Sequence, residues 1–537
     1  MDAMISAAQP EAAEAGAVVL ERGGNAIDAA VACAFVQGVV DPLMAGLGGF
    51  GTMQIYMPKR DIHVAIDFSA RAPLAVTPTM WLSKLRGLAP DGFAFLLEND
   101  LNEIGYQSIG TPGTLKGMSE ALDAYGSISL ADALAPAIEV AQRGYMVRPY
   151  AYYHWTLDQK DEGRVDSIHK LRFSETGRRL FFRDGEVKRP GDSIVNPELA
   201  TTMERIARGG PELFYEGELA EEMIDDIRAQ GGILTLDDFK TFDTTKSEPV
   251  WGDYRGQRIA SSTPPAGGCG LIQLLHILEN FDLRSLRHNS VEHITLLAEA
   301  MRWTTIDRDQ YLGDPAFVDV PIERFLSKSR AAEIAENIRS GERAVIERGV
   351  TRELKESQDT TQVNVVDKEG NAVSITHTIG NPSGVISPGL GFMYNGCMVR
   401  FDPRPGKAGS LAPRKTRTNS QSPTMVFKDD RLHLVLGAPG GIHIMPTVAQ
   451  GIMNVIDFDM PILDAVIAPR ISATSNVIEV SNRIQHRVTA ALERNGYRTK
   501  RTYLNYAFAA LHAIQCSDGR VTGGADPQRD GMVLRVE

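Results

Sequence analysis

At 537 residues the chain is far longer than one hydrophobic core requires, so two or more packed units, or one large layered domain, are expected. With 43% hydrophobic and 23% charged residues it reads as an ordinary globular protein, neither disordered nor membrane-embedded. The formal charge of -12 argues against a nucleic-acid face or a polybasic membrane patch, both of which need clustered Lys and Arg, and leaves a small molecule as the expected partner.

The opening MDAMISAAQPEAAEAG lacks the basic and apolar regions of a secretory signal, and no uncharged apolar stretch approaches membrane-spanning length. A cytoplasmic protein is the expectation. Cys33, Cys269, Cys397 and Cys516 lie far apart and form no CxxC pair, which fits buried small side chains better than a disulfide framework or a zinc site.

Residues 9–40 predict two Ala-rich helices broken at Gly23 and Gly24, the second capped by Asn25 with Asp28 three residues on. In the following MAGLGGFGTMQIYM, Gly46, Gly48 and Gly51 have the spacing of a dinucleotide loop. Such a loop follows a strand and opens a helix, whereas this one follows a helix and leads into the strand-like TMQIYM and HVAIDF. Close backbone packing, or a loop lining a pocket, is the better use of these glycines; a dehydrogenase would rest on them alone. Residues 111–145 read as helical with breaks at Gly126 and Gly144. A mixed region runs on to Asp243 and holds the turn-rich RDGEVKRPGD and the helical LAEEMIDDIRAQ, which Gly231 and Gly232 end. WGDYRGQRIASSTPPAGGCG gives two strands and a Pro-Gly loop, and a long helical stretch is expected over residues 271–311.

The texture changes at Asp359. TTQVNVVDKEGNAVSITHTI predicts two alternating strands around Lys368, Glu369 and Gly370, followed by the strands SPTMVF and LHLVLG, a helix over residues 447–457, and the terminal strands FAALHAIQC and GMVLRV. No tandem repeat or low-complexity tract interrupts this order, in which helix-rich sequence precedes strand-rich sequence. The pattern implies an α+β protein with helices layered over antiparallel sheets. A turn centred at Glu369 sets Asp367 opposite Asn371 and Thr360 opposite Thr378, with a one-residue slip left open by the chance of a bulge. Two hydroxyls so paired come within hydrogen-bonding reach, which suits a plain sheet contact as well as a reactive centre.

DTTQVNVVDKEGNAVSITHTI resembles the segment around the catalytic threonine of the gamma-glutamyltranspeptidase family. NAIDAAVACAFVQGVVDP, LGGFG, DFSARAP, GTPGTLKGMSEALDAYG, SEPVWGDYRGQRIASSTPPAGG, RDQYLGDP and GAPGG fall in the order that family uses, over nearly the whole chain. The resemblance implies a four-layer αββα sandwich of the N-terminal-nucleophile hydrolases, made as one inactive chain. It implies autocatalytic cleavage between Asp359 and Thr360, giving a large fragment 1–359 and a small fragment 360–537 that form one compact heterodimer. Higher oligomers stay open, and neither a metal nor an organic cofactor is needed. An internal threonine hydroxyl has no base beside it, but cleavage frees an α-amine with a reference pKa of about 7.7 to 8.0 that can take the hydroxyl proton. By the same resemblance Thr378 orients Thr360, the N–H groups of Gly440 and Gly441 hold the oxyanion, and Asn419 and Ser420 of RTNSQSP contact a substrate carboxylate.

Three departures bear on the substrate. DFSARAP places Ser69 where the family has an arginine, with Arg71 two residues on as the candidate replacement. Arg400 stands where an aspartate would meet the substrate amine, and Gly380 replaces an asparagine, with Asn381 adjacent. A cation at the ammonium position favours an anionic or uncharged acyl group. A short stretch between Arg400 and Asn419 implies a reduced lid and an open cleft. Cephalosporin acylases and an oxamate amidohydrolase belong to the same family, so a non-glutamyl acylase is the alternative activity, and a non-catalytic binding relative the alternative class. His377 is expected to point away from Thr378, and His288 and His293 lack the i, i+4 spacing of a zinc helix.

Overall fold

The computed structural model describes residues 2–89, 94–159, 163–347, 360–502 and 508–537. Thirteen strands make up two large sheets. They are β1 (Ala3–Ala7), β2 (Phe50–Met57), β3 (Ile62–Phe68), β4 (Thr245–Ser247), β5 (Val250–Tyr254), β6 (Gln257–Ser261), β7 (Thr361–Val366), β8 (Ala372–Thr378), β9 (Thr424–Lys428), β10 (Arg431–Gly437), β11 (His512–Ser517), β12 (Arg520–Ala525) and β13 (Met532–Val536). The first sheet runs β4-β3-β2-β8-β7-β1-β13 and the second β5-β6-β9-β10-β11-β12, with antiparallel neighbours throughout.

The principal helices are α1 (Pro10–Glu21), α2 (Ala26–Val40), α3 (Thr114–Tyr125), α4 (Leu130–Arg143), α5 (Gly268–Glu279), α6 (Val291–Tyr311) and α7 (Ile444–Ile456). The first four share a core with the first sheet, where Ile27, Val31 and Leu134 pack with Val363, Val365 and Ile375. The last three share a second core with Ile259, Leu434 and Leu436 of the second sheet. Between the sheets Met4, Val366 and Ala372 meet Met425, Val435 and Ile514. Three apolar interfaces therefore separate four layers, the αββα order the resemblance implies. Sequence on either side of position 360 contributes strands to both sheets.

Local rules explain the elements that carry the site. Asn25 caps α2 by accepting from the N–H groups of Ile27 and Asp28, and Asp28 returns the bond to the Asn25 N–H at 2.8 Å. Helix α2 has no polar stripe because it is buried on nearly all sides, lodged between α1, α4 and the first sheet. In β7, odd-numbered Val363 and Val365 face that helical layer, while Gln362 and Asn364 face the second sheet. Those buried amides are satisfied by one another and by Ser374, Thr376 and the His512 carbonyl.

Two expectations meet the structure differently. The stretch over 271–311 is two helices, because residues 280–290 are rich in Asn, Asp and Ser that bond locally to backbone; Asn289 turns left-handed at φ 55° and Ser290 caps α6 through the His293 N–H. The dinucleotide-like glycines serve close packing, as a Cβ on Gly51 would lie 2.5 Å from the Thr376 carbonyl and one on Gly48 2.4 Å from that of Met393. Cys33, Cys269 and Cys397 are buried, their thiols pushed up by that burial.

Burial also pushes the imidazoles of His154, His293, His377 and His512 down to about 3. Burial alone would raise the Glu103 carboxyl, but Arg164 and Lys170 hold it at about 2. In both cases the unfolded chain takes up protons before the folded one, so stability is full above about pH 6.5 and falls as pH drops toward 3. Scanning calorimetry is expected to show the melting temperature falling steadily from pH 7 to pH 4; a flat profile would contradict these assignments.

Candidate active site

The hairpin of β7 and β8 pairs Thr361 with His377 and Val366 with Ala372, and the Asp367 N–H bonds the Asn371 carbonyl at 2.9 Å. No slip occurs, and the same register sets Thr360 opposite Thr378. Their hydroxyl oxygens lie 3.4 Å apart, a long contact that a small shift would tighten. The Gly380 N–H donates to the Thr378 hydroxyl at 2.7 Å, fixing its direction. His377 points the other way, to Gln37 at 2.8 Å, and its depressed pKa keeps it neutral, so it is no base for Thr360.

Thr360 opens on a cleft of about 520 Å³. Thr378, Gly441, Arg400, Asn419 and Ser420 line it as well, so six of the residues expected from sequence meet in one place. Asn419 accepts the Gln421 N–H through its side-chain oxygen at 2.9 Å, and among the described residues its buried amide nitrogen has no partner. Ser420 accepts from Arg308 at 2.9 Å.

Gly440 and Gly441 follow β10 and open the turn Gly441–His443 that leads into α7. Their φ angles of 143° and 56° suit glycine, and a Cβ on Gly440 would lie 2.4 Å from the Ala509 Cα. Of the two, Gly441 lies at the cleft wall, and the turn that it opens leads into α7.

Arg71 is a correction. Its guanidinium bonds the Asp243 carbonyl at 2.8 Å and lies over the Phe242 ring, outside the cleft, because the backbone there is held by Thr111 and Thr416. Ser69 is turned onto Asp67 at 2.6 Å. Asp359, the other half of the expected cleavage site, lies outside the described residues.

Other functional groups escaped the sequence reading. Arg308 and Arg417, which open the RDQYLGDP and RTNSQSP segments, line the cleft with Arg404 and Lys407. Arg529, from the turn Pro527–Arg529, is buried. It donates to the Thr360 carbonyl at 2.5 Å, lies 3.6 Å from Asp41 and stacks over Tyr150. No pattern around an isolated arginine near the C-terminus announces such a contact.

Two facing sheets flanked by helices, with a threonine pair at one end of the central hairpin, define the architecture of an N-terminal-nucleophile hydrolase. Residues 12–536 match the family model described as gamma-glutamyltranspeptidase. The acylase ACY 1 proenzyme of Pseudomonas sp. (strain V22) is 36% identical over 539 residues, covering 99% of this chain and 93% of its own. The glutathione hydrolase proenzyme of Bacillus subtilis (strain 168) is 33% identical over 558 residues, covering 100% and 92%. Among solved structures, a cephalosporin acylase from Bacillus halodurans superposes with a TM-score of 0.86 at 26% identity, covering 99% of this chain and 95% of that one. The chain belongs to the gamma-glutamyltranspeptidase family.

A guanidinium bonded to the Thr360 carbonyl disfavours a second positive charge on the same residue, and so lowers the pKa of an α-amine freed there. In the Arg529→Gln variant the acid limb of the kcat/KM profile is expected to move up by about one unit. An unmoved limb in a correctly processed variant would refute this electrostatic role.

Proposed function

We propose that the chain is made as a precursor that cuts itself between Asp359 and Thr360, and that the freed threonine hydrolyses the amide of a small acyl-amide. The observation that carries this reading is the Thr360–Thr378 hydroxyl pair, 3.4 Å apart at the wall of the cleft. That two relatives are proenzymes supports the precursor.

In the proposed reaction the Thr360 α-amine takes the proton of its own hydroxyl while Oγ1 attacks the substrate carbonyl carbon. The N–H groups of Gly440 and Gly441 stabilise the tetrahedral oxyanion, each donor of this kind being worth about 2.7 to 4 kcal/mol of barrier. Collapse breaks the C–N bond, and the ammonium returns the proton to the departing amine. Water, deprotonated by the same amine, then attacks the ester and restores Thr360. Thr378, held by the Gly380 N–H, orients the nucleophile throughout.

Gamma-glutamyl amides are the family default, but the charges here favour a different acyl group. A substrate ammonium would meet Arg400, while Asp402 is already held by Arg404 through bonds of 2.8 and 2.7 Å. Residues of the 400–419 stretch form one wall of the cleft. With water able to enter, hydrolysis is favoured over transfer.

On a denaturing gel the wild-type protein is expected to run as two bands, of 359 and 178 residues. Thr360→Ala should remain one band and lose all amidase activity, and Thr360→Ser should still mature. A fully active Thr360→Ala variant would refute the assignment.

A further inference from the structure

A second cavity, of about 540 Å³, shares no lining residue with the Thr360 cleft. Its walls are the segment 287–292, which leads into α6, and residues 483–494, which run into helix α8 (His486–Arg494). Arg287, Arg483, Arg487 and Arg494 line it, and among the described residues of the lining Glu292 is the only acid. Arg487 and Arg494 stand seven positions apart in α8, so they share a face, about 10 Å apart along the axis. Arg287 comes from the other wall. Four guanidinium groups from two walls thus border one space.

These charges stand out in an acidic chain because they lack counter-charges. Elsewhere Arg205 meets Glu218 and Glu222, and Arg330 meets Glu333. Among the described residues Arg287, Arg483 and Arg494 have no side-chain hydrogen bond or ion pair, and Arg487 donates only to Gln485, at 2.7 Å. Asp526, whose charge reaches Arg483, is already paired with the buried Arg470. Partial burial and Arg470 push the Arg483 guanidinium below its usual value. Both α6 and α8 also begin at this cavity, and the first turn of a helix carries positive partial charge.

Like charges gathered this way repel one another, and a polyvalent anion bound among them removes the repulsion. A guanidinium meets phosphate oxygens with two parallel N–H donors. Phosphate carries up to about two charges per group, so a diphosphate matches several cations where one carboxylate matches a single one. Charges spread over about 10 Å favour a chain of phosphates over an isolated one. The volume is that of a small-molecule pocket rather than a face for a macromolecule.

We propose that this cavity is a binding site for a small molecule carrying a diphosphate or longer phosphate chain, held by Arg287, Arg483, Arg487 and Arg494. It stands whether or not the amidohydrolase reading of the other cleft does.

The test is calorimetric titration of the purified protein at low salt with inorganic pyrophosphate, and with phosphate, sulfate and malonate as controls. Pyrophosphate should bind at least tenfold more tightly than any control, with an affinity that falls as salt rises. Arg483→Gln combined with Arg487→Gln should weaken pyrophosphate at least tenfold, whereas Arg417→Gln, in the Thr360 cleft, should leave it unchanged. All four side chains are exposed, so the double variant should melt with the wild type. Should it fail to fold, Arg287→Gln combined with Arg494→Gln makes the same measurement from the remaining two cations. Pyrophosphate bound no more tightly than malonate or phosphate would overturn the proposal, as would an affinity that survives the double substitution. Binding lost in Arg417→Gln alone would move the anion to the other cleft and overturn it equally.

Discussion

The register of one hairpin governs the reactive centre. β7 and β8 pair so that Thr360 faces Thr378. A slip of one residue would send both hydroxyls to the helical face, where Thr361 and His377 now lie among Gln9 and Gln37. The register is held from both sides. Val363, Val365 and Ile375 are locked into the core beneath α2, and the Gln362, Asn364, Ser374 and Thr376 network is buried against the second sheet. Shifting the strand would bury those amides among aliphatic side chains and expose none of the apolar groups to better partners, so the alternative is strongly disfavoured. Asp367 secures the turn by accepting from the N–H groups of Glu369 and Asn371.

Electrostatics then divides the labour around that pair. The protein as a whole is acidic, yet cations outnumber acids in the lining of its cleft. Arg529 bonds the Thr360 carbonyl from behind, and its charge is partly balanced by Asp41. Arg400 and Arg417 line the cleft in front of it.

Much of this was legible from residue order. The capping box at Asn25 and Asp28 and the outward turn of His377 follow from local rules that need no tertiary information, and the hairpin register follows from them to within one residue. Gly440, Gly441, Asn419 and Ser420 came from the family resemblance, and the fold brings Gly441, Asn419 and Ser420 to the cleft wall. Arg71 failed because alternation along a strand gives a face but not a destination; beyond Phe68 the chain leaves β3 and carries Arg71 to Phe242 and Asp243. Arg417 and Arg529 stayed hidden for a related reason. Their contacts are with a ring from β2 and the carbonyl just before β7, each more than a hundred positions away in sequence, and no spacing rule joins them. The break between α5 and α6 was misjudged because helical propensity on both sides masked the Asn, Asp and Ser of the connection.

The central claim is that Thr360 Oγ1 itself becomes acylated. The most direct measurement is intact-mass analysis of the matured protein mixed with a slowly deacylating activated ester, followed by peptide mapping. The account predicts a single acyl increment on the fragment that begins at Thr360, located on that residue and absent after alkaline hydrolysis. An increment on any other residue, or turnover by an uncut chain without such an adduct, would contradict it.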